Sequence, residues 1–221
     1  DAFSSGRAAM PVASSTLLLD GQASASSILQ ALQRFSSRAQ GRADAVAIDP
    51  NDVFVLYLAG HGDTDAAGDY LFRTADQPAG GKGLGGEAIL DLLSEIPSIN
   101  LVVVLDTCSA GTFRNAFRLN PTMQRLNQLS GRAVLAGSTS SGSALEHPQL
   151  GGGLFTGVLL SGLGGSANDD NSDDVSVLEI VRFTQRELNR INQEGRYTIE
   201  QKPVFFPPDD DFALTRSGRR P

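Results

Sequence analysis

Short unbroken apolar runs alternate along this chain with stretches in which apolar residues return every three or four positions. "NDVFVLYLAGHG" and "NLVVVLD" contain runs, Val53 to Leu58 and Leu101 to Leu105, bounded by Asn, Asp or Gly. Runs that brief, apolar on both parities, predict strands buried on both faces, as inside a parallel sheet. "RAVLAGS" and "QKPVFF" predict two more, "STLLLDG" (Ser15 to Gly21) a short buried strand closed by a turn, and "DYLFRTAD" a small strand or hairpin arm. Helical spacing fills the gaps. "SASSILQALQRFSS" places Ile28, Leu29, Leu32 and Phe35 on one face behind a serine-rich start suited to capping. "GEAILDLLSEI", a segment around Met123 to Leu129 and "LFTGVLLSGL" predict further helices. A last helix carries Leu178, Val181, Leu188 and Ile191 in one stripe, with Asp173 and Asp174 expected at its start, where negative charge suits the helix dipole. Ser15 to Leu58 then reads as a right-handed βαβ unit, and the whole as an α/β, three-layer α-β-α sandwich around a mostly parallel sheet.

Composition narrows the picture. At 221 residues with 40% apolar content the chain supports one core, so residues 1–221 are read as a single domain with a Pro- and Asp-rich tail over 207–221. A net charge of −7 without a Lys/Arg cluster removes the electrostatic footprint of a nucleic-acid binder. No apolar run approaches the ~18 residues of a membrane span. A single cysteine allows no internal disulfide, which fits a reducing compartment, so the cytosol (a cytoplasmic protein) is the default expectation. The glycines of "AGGKGLGG" invite a phosphate-loop reading, but Lys82 is followed by Gly83 and no strand leads in, so a loop is expected there.

Candidate chemistry gathers where open α/β sheets place it, beyond the carboxyl ends of strands. "VLYLAGHG" delivers His61 and "VVVLDTC" delivers Cys108. A thiol attacks a carbonyl as thiolate, and an imidazole beside it both removes the proton and returns it to a leaving amine. His147 is the spare base. "CSAGTFR" also fits C-x5-R, the phosphate loop of cysteine-dependent phosphatases, with Cys108 and Arg114 as carriers. Against it, Asp106 puts negative charge beside a dianion's site, and the "AGHG" strand end is left without a role.

"LLLDGQAS", the strand ending in "GHG", the strand ending in "DTCSAG", "AVLAGS" and "GLFTGVLLSGL" together resemble the caspase-like cysteine peptidases, the clan of caspases, metacaspases and their bacterial relatives. Caspases carry their histidine about 50 residues before the cysteine, a separation compatible with His61 and Cys108. The resemblance implies a cysteine endopeptidase acting on protein or peptide substrates, with Cys108 as nucleophile, His61 as base and acid, and the backbone N–H groups of Gly62 and Cys108 as oxyanion hole. Asp106 matches the position lining the primary specificity pocket, which implies cleavage after Arg or Lys. The alternative for Asp106 is a strand-end cap. Ser109 stands where metacaspases and many bacterial relatives have a second histidine. A catalytically silent scaffold acting through binding is a third reading, which the intact His61 and Cys108 disfavour.

The family core opens with a strand and helix before the counterpart of "LLLDGQAS", and residues 1–13 are too short for both. The expectation is a sheet lacking its first strand in this chain, with that strand supplied by another polypeptide such as an N-terminal fragment of its own precursor, after activation by proteolytic processing. No cofactor is required by this chemistry. Calcium is the one ion considered, at the acidic run Asn168 to Asp174, but EF-hand spacing is lacking and a solvated turn is expected.

Overall fold

In the computed structural model, which describes residues 8–77, 83–119, 131–138, 146–147, 152–195, 202–208 and 210–217, the apolar runs become strands and the spaced stretches become helices. In chain order the elements are α1 (Ala25–Gln33), β1 (Val53–Gly60), β2 (Gly62–Thr64), β3 (Tyr70–Phe72), β4 (Leu84–Gly85), α2 (Gly86–Ser94), β5 (Asn100–Thr107) and α3 (Ala110–Leu119). There follow β6 (Arg132–Ala136), β7 (Glu146–His147), β8 (Gly152–Gly153), α4 (Leu154–Ser161), β9 (Asp174–Ser176), α5 (Val177–Gln193), β10 (Val204–Phe206) and β11 (Ala213–Arg216).

The main sheet runs β1-β5-β6-β10, parallel except for β10 at the far edge. Strand β5 is central because it is apolar on both parities. Leu101, Val103 and Leu105 pack with Val134 and Ala136 against Ile28, Leu32, Ile89, Leu93, Phe113 and Phe117 from α1, α2 and α3. Val102 and Val104 pack with Ala133 and Leu135 against Phe155, Leu159, Ile180 and Leu188 from α4 and α5. Each such side chain contributes about 1.5–3 kcal/mol on leaving water, so the three layers hold through this strand. Arg132, at the start of β6, is also buried and donates to the carbonyl oxygens of Leu93, Ile96 and Ser98, tying the end of α2 to the approach of β5. Burial pulls its guanidinium down to about 10, so it stays charged at neutral pH and suits a helix C-terminus.

Several expectations need correction. "STLLLDG" forms no strand; Leu17 and Leu19 are 75% and 56% exposed, and Asp20–Gln22 is a 3-10 turn. A strand needs a neighbour for its backbone groups, and among the described residues the outer edge of β1 pairs with nothing. The βαβ unit therefore does not form from these residues. Asp173 and Asp174 do not start a helix: Asp174 opens β9, and α5 is capped instead by Ser176 and Glu179, each side chain accepting from the other's backbone N–H. Within the Pro- and Asp-rich tail, β11 buries Leu214 and Thr215 and pairs antiparallel with β9. The helix expected at Met123 to Leu129 lies outside the described residues, as do 78–82 of the glycine-rich connector. Among the described residues no helix is long and apolar enough to cross a membrane.

Candidate active site

Two parallel strands end side by side. Gly60 of β1 faces Thr107 of β5 in register, so the residues just beyond, His61 and Cys108, emerge at the same sheet end. Gly60 adopts φ 149, a conformation open to glycine, and a Cβ there would also meet the Phe72 ring at 3.5 Å. The turn leaves His61 exposed while its carbonyl accepts the Arg73 N–H at 2.9 Å, anchoring the histidine to the β2-β3 hairpin.

After β5 the chain allows only two residues before α3 begins. Cys108 is half-buried and Ser109 takes the left-handed conformation with φ 56, a costly state for a residue with a Cβ. Ser138, buried at the end of β6, brackets this turn: its hydroxyl donates to the Thr107 carbonyl at 2.8 Å and accepts the Ala110 N–H at 3.3 Å. On the other side the Thr107 hydroxyl shares a 2.8 Å hydrogen bond with the Tyr70 phenol. Burial, reinforced by nearby Cys108, pushes that phenol up to about 12, so it remains a neutral hydroxyl.

The histidine turn and the cysteine turn touch. A Cβ built on Gly62 would lie 2.0 Å from the Cys108 carbonyl oxygen and 2.9 Å from Thr107 Oγ1. Only glycine permits this approach, and it brings the backbone on either side of the thiol against the residue following His61.

Asp106 lies one residue before the end of β5, on the face covered by α4, and is 7% exposed. Its neighbour across the ladder is Ala59. Thr156 Oγ1 donates to Asp106 Oδ2 at 2.5 Å, and the Tyr57 hydroxyl lies 2.7 Å from Thr156 Oγ1. Gly153 closes over the same oxygen, since a Cβ there would sit 2.2 Å from Oδ2. Asp106 Oδ1 is buried and has no hydrogen-bond partner among the described residues. Burial pushes the carboxyl above the usual range, while hydrogen bonds from the Thr156 hydroxyl and backbone N–H pull it partly back. Helix α4 begins at Gly153 without a side-chain cap of its own. Asp106 therefore caps α4 across the sheet with one oxygen and leaves the other unused.

Other candidates fall elsewhere. His147 lies in β7 opposite Gly152, its side chain outside the described residues. Arg114 sits inside α3, where it bonds Asn115 Oδ1 at 2.5 Å. Residues Ala110 to Arg114 are thus helix rather than a cradle of free N–H groups, which removes the phosphatase loop. In the acidic run, Asp169 pairs with Arg182, Asp170 accepts the Ser172 N–H, and Asn168 donates to the Ser172 and Asp174 carbonyls. Among the described residues no group of three or more His, Cys, Asp or Glu is placed to hold a metal ion. Ser138, Tyr70, Thr156 and Tyr57 were not singled out from sequence, because their roles come from pairing across elements; only the polar Ser138 ending an otherwise buried strand gave any signal.

The caspase-domain family model of the C14 peptidases matches residues 16–209. No curated protein matches the chain. Among solved structures, protein GSU0716 from Geobacter sulfurreducens superposes with a TM-score of 0.55 at 17% identity, over 87% of this chain and 76% of that one. At that identity the likeness concerns the fold alone.

Proposed function

The chain belongs to the caspase-domain family of cysteine peptidases, and from that premise we propose that it is an endopeptidase cutting after Arg or Lys through Cys108 and His61. The observation carrying the proposal is the contact between the two turns, with Gly62 seated on the Cys108 carbonyl. His61 takes the proton of the Cys108 thiol, and the thiolate adds to the scissile carbonyl carbon. In this reading the resulting oxyanion is met by the backbone N–H groups of Gly62 and Cys108. Collapse breaks the C–N bond as His61 delivers its proton to the departing amine, leaving a thioester on Cys108. His61 then deprotonates a water, which adds to the thioester; the sulfur leaves, is reprotonated, and the new carboxylate is released.

Selectivity is assigned to Asp106. A buried carboxylate oxygen lacking a partner is costly, and a cationic side chain entering from the substrate supplies both the charge and the hydrogen bond. Acidic side chains are repelled. A panel of fluorogenic peptides differing only in Arg, Lys, Asp or Leu before the scissile bond tests this. Arg and Lys peptides are expected to turn over, and Cys108→Ala to abolish all turnover. Turnover after Asp alone removes the role of Asp106, and undiminished turnover by Cys108→Ala removes the peptidase reading.

A second polypeptide segment, such as a fragment of the precursor released by proteolytic processing, is proposed to pair with the outer edge of β1. Support comes from that edge, where an apolar strand exposes 46% of Tyr57 and, among the described residues, pairs on one side only. Native mass spectrometry of the protein matured in its own cell is expected to find such a segment bound; an active species of single-chain mass rejects it.

A further inference from the structure

The environment of Asp106 contains two hydroxyls that the reading above does not use. Thr156 Oγ1 spends its one hydrogen on Asp106 Oδ2, so in the 2.7 Å contact with Tyr57 it is the acceptor and the phenol is the donor. The proton directions are therefore fixed from the sheet edge inward: Tyr57 O–H to Thr156, and Thr156 O–H to Asp106. We infer that Tyr57 and Thr156 are positioning residues for substrate selectivity, a two-hydroxyl relay that locks one carboxylate oxygen of Asp106 and leaves the other, Oδ1, aimed at the substrate cation.

Three observations support this. First, the relay engages only Oδ2, which Gly153 also covers, so the carboxylate is held from one side and is not free to rotate. Second, Oδ1 is a buried acceptor left without a partner among the described residues, in a residue only 7% exposed. A structural cap alone gives no reason to bury that second oxygen. Third, Tyr57 reaches from β1 to α4 through its hydroxyl, 2.7 Å from Thr156 Oγ1, so this hydrogen bond ties the outer strand of the described sheet to the helix that holds Asp106. Among the described residues the titratable group facing Asp106 is Tyr57 from β1, which feels the Asp106 charge; Cys108 lies two residues further along the same chain, and His61 follows Gly60, the ladder neighbour of Thr107. Tyr57 stays protonated, because burial and the neighbouring Asp106 charge both raise it.

The inference rests on the assignment of Asp106 to substrate selectivity, and the experiment separates the two. Thr156→Val, Thr156→Ser, Tyr57→Phe and Asp106→Asn are compared on Arg, Lys and citrulline peptides across pH. Thr156→Val is expected to raise KM for the Arg and Lys peptides by tenfold or more with kcat nearly unchanged. It should also move the acidic limb of the KM profile to higher pH, because the carboxylate loses a hydrogen bond favouring its charged form. Thr156→Ser should restore both. Tyr57→Phe, which removes one exposed oxygen and should not disturb folding, is expected to shift KM in the same direction by about threefold. If Asp106→Asn abolishes discrimination against citrulline while Thr156→Val and Tyr57→Phe leave KM and its pH limb unmoved, the relay is overturned and Asp106 stands. If Asp106→Asn changes nothing, both fall. Should Thr156→Val fail to fold, the Tyr57→Phe result decides alone.

Discussion

Gly62 is the residue at which sequence and site are joined most directly. Its missing side chain is what lets the histidine turn rest on the cysteine turn. Gly62→Ala keeps the backbone N–H but its Cβ would push the histidine turn off the Cys108 carbonyl; displacing that proposed oxyanion donor should lower turnover by roughly 100-fold, and overpacking should reduce stability by about 1–3 kcal/mol. Peptide kinetics and thermal melts check the pair of effects; wild-type turnover in the variant would mean the contact is irrelevant to the chemistry. Asp106 gives a pH prediction whose sign follows from its raised pKa. As pH falls through that raised value the carboxyl gains a proton and its attraction for a substrate cation is lost, so KM for an Arg peptide should rise on the acid side. In the free protein the native carboxyl holds its proton more tightly than the unfolded chain, whose carboxyl titrates near the ordinary 3.8. Between those two values stability falls as pH rises. Asp106→Asn removes that fall, a difference readable in melts of the two proteins across the window.

Among the elements, α5 shows how a helix start is set by a few side chains. Ser176 and Glu179 cap it reciprocally, and Glu179, buried to 3% exposure, also accepts the Asp169 N–H at 2.8 Å. Ser176→Ala should cost about 1 kcal/mol, the usual worth of an N-cap. Glu179→Ala should cost more, because two backbone N–H groups lose charge-assisted acceptors at about 1–3 kcal/mol each. Urea denaturation of both variants tests the order, and equal effects would show that solvent replaces the carboxylate. The capping box was present in the sequence as S-x-x-E, yet the acidic pair two residues upstream drew the expected start away from it. What placed Asp174 in a strand was its pairing with Arg216 from the far end of the chain, which no local pattern records.

For the whole molecule, the sheet edge has the largest consequence. Strand β1 is apolar but lies outermost among the described strands, and Leu17 and Leu19 stand exposed nearby in sequence to α1. Unprotected apolar strands of this kind pair with other chains. Studied alone, the chain should associate as its concentration rises in sedimentation experiments, and the double substitution Leu17→Ser, Leu19→Ser should weaken that association. A monodisperse monomer at all concentrations would argue that the edge is already satisfied.

Periodicity and side-chain chemistry by themselves determined the three layers, the central position of β5, and the placement of His61 and Cys108 at strand ends, since burial on both faces and loop position are written into short apolar runs and the glycines after them. Tertiary structure alone decided that "STLLLDG" stays unpaired, that β9 and β11 find each other, and that Asp106 is held by Thr156 and Tyr57 with one oxygen left over. Those outcomes depend on partners distant in the chain, and a hydrogen bond between two elements leaves no period in either.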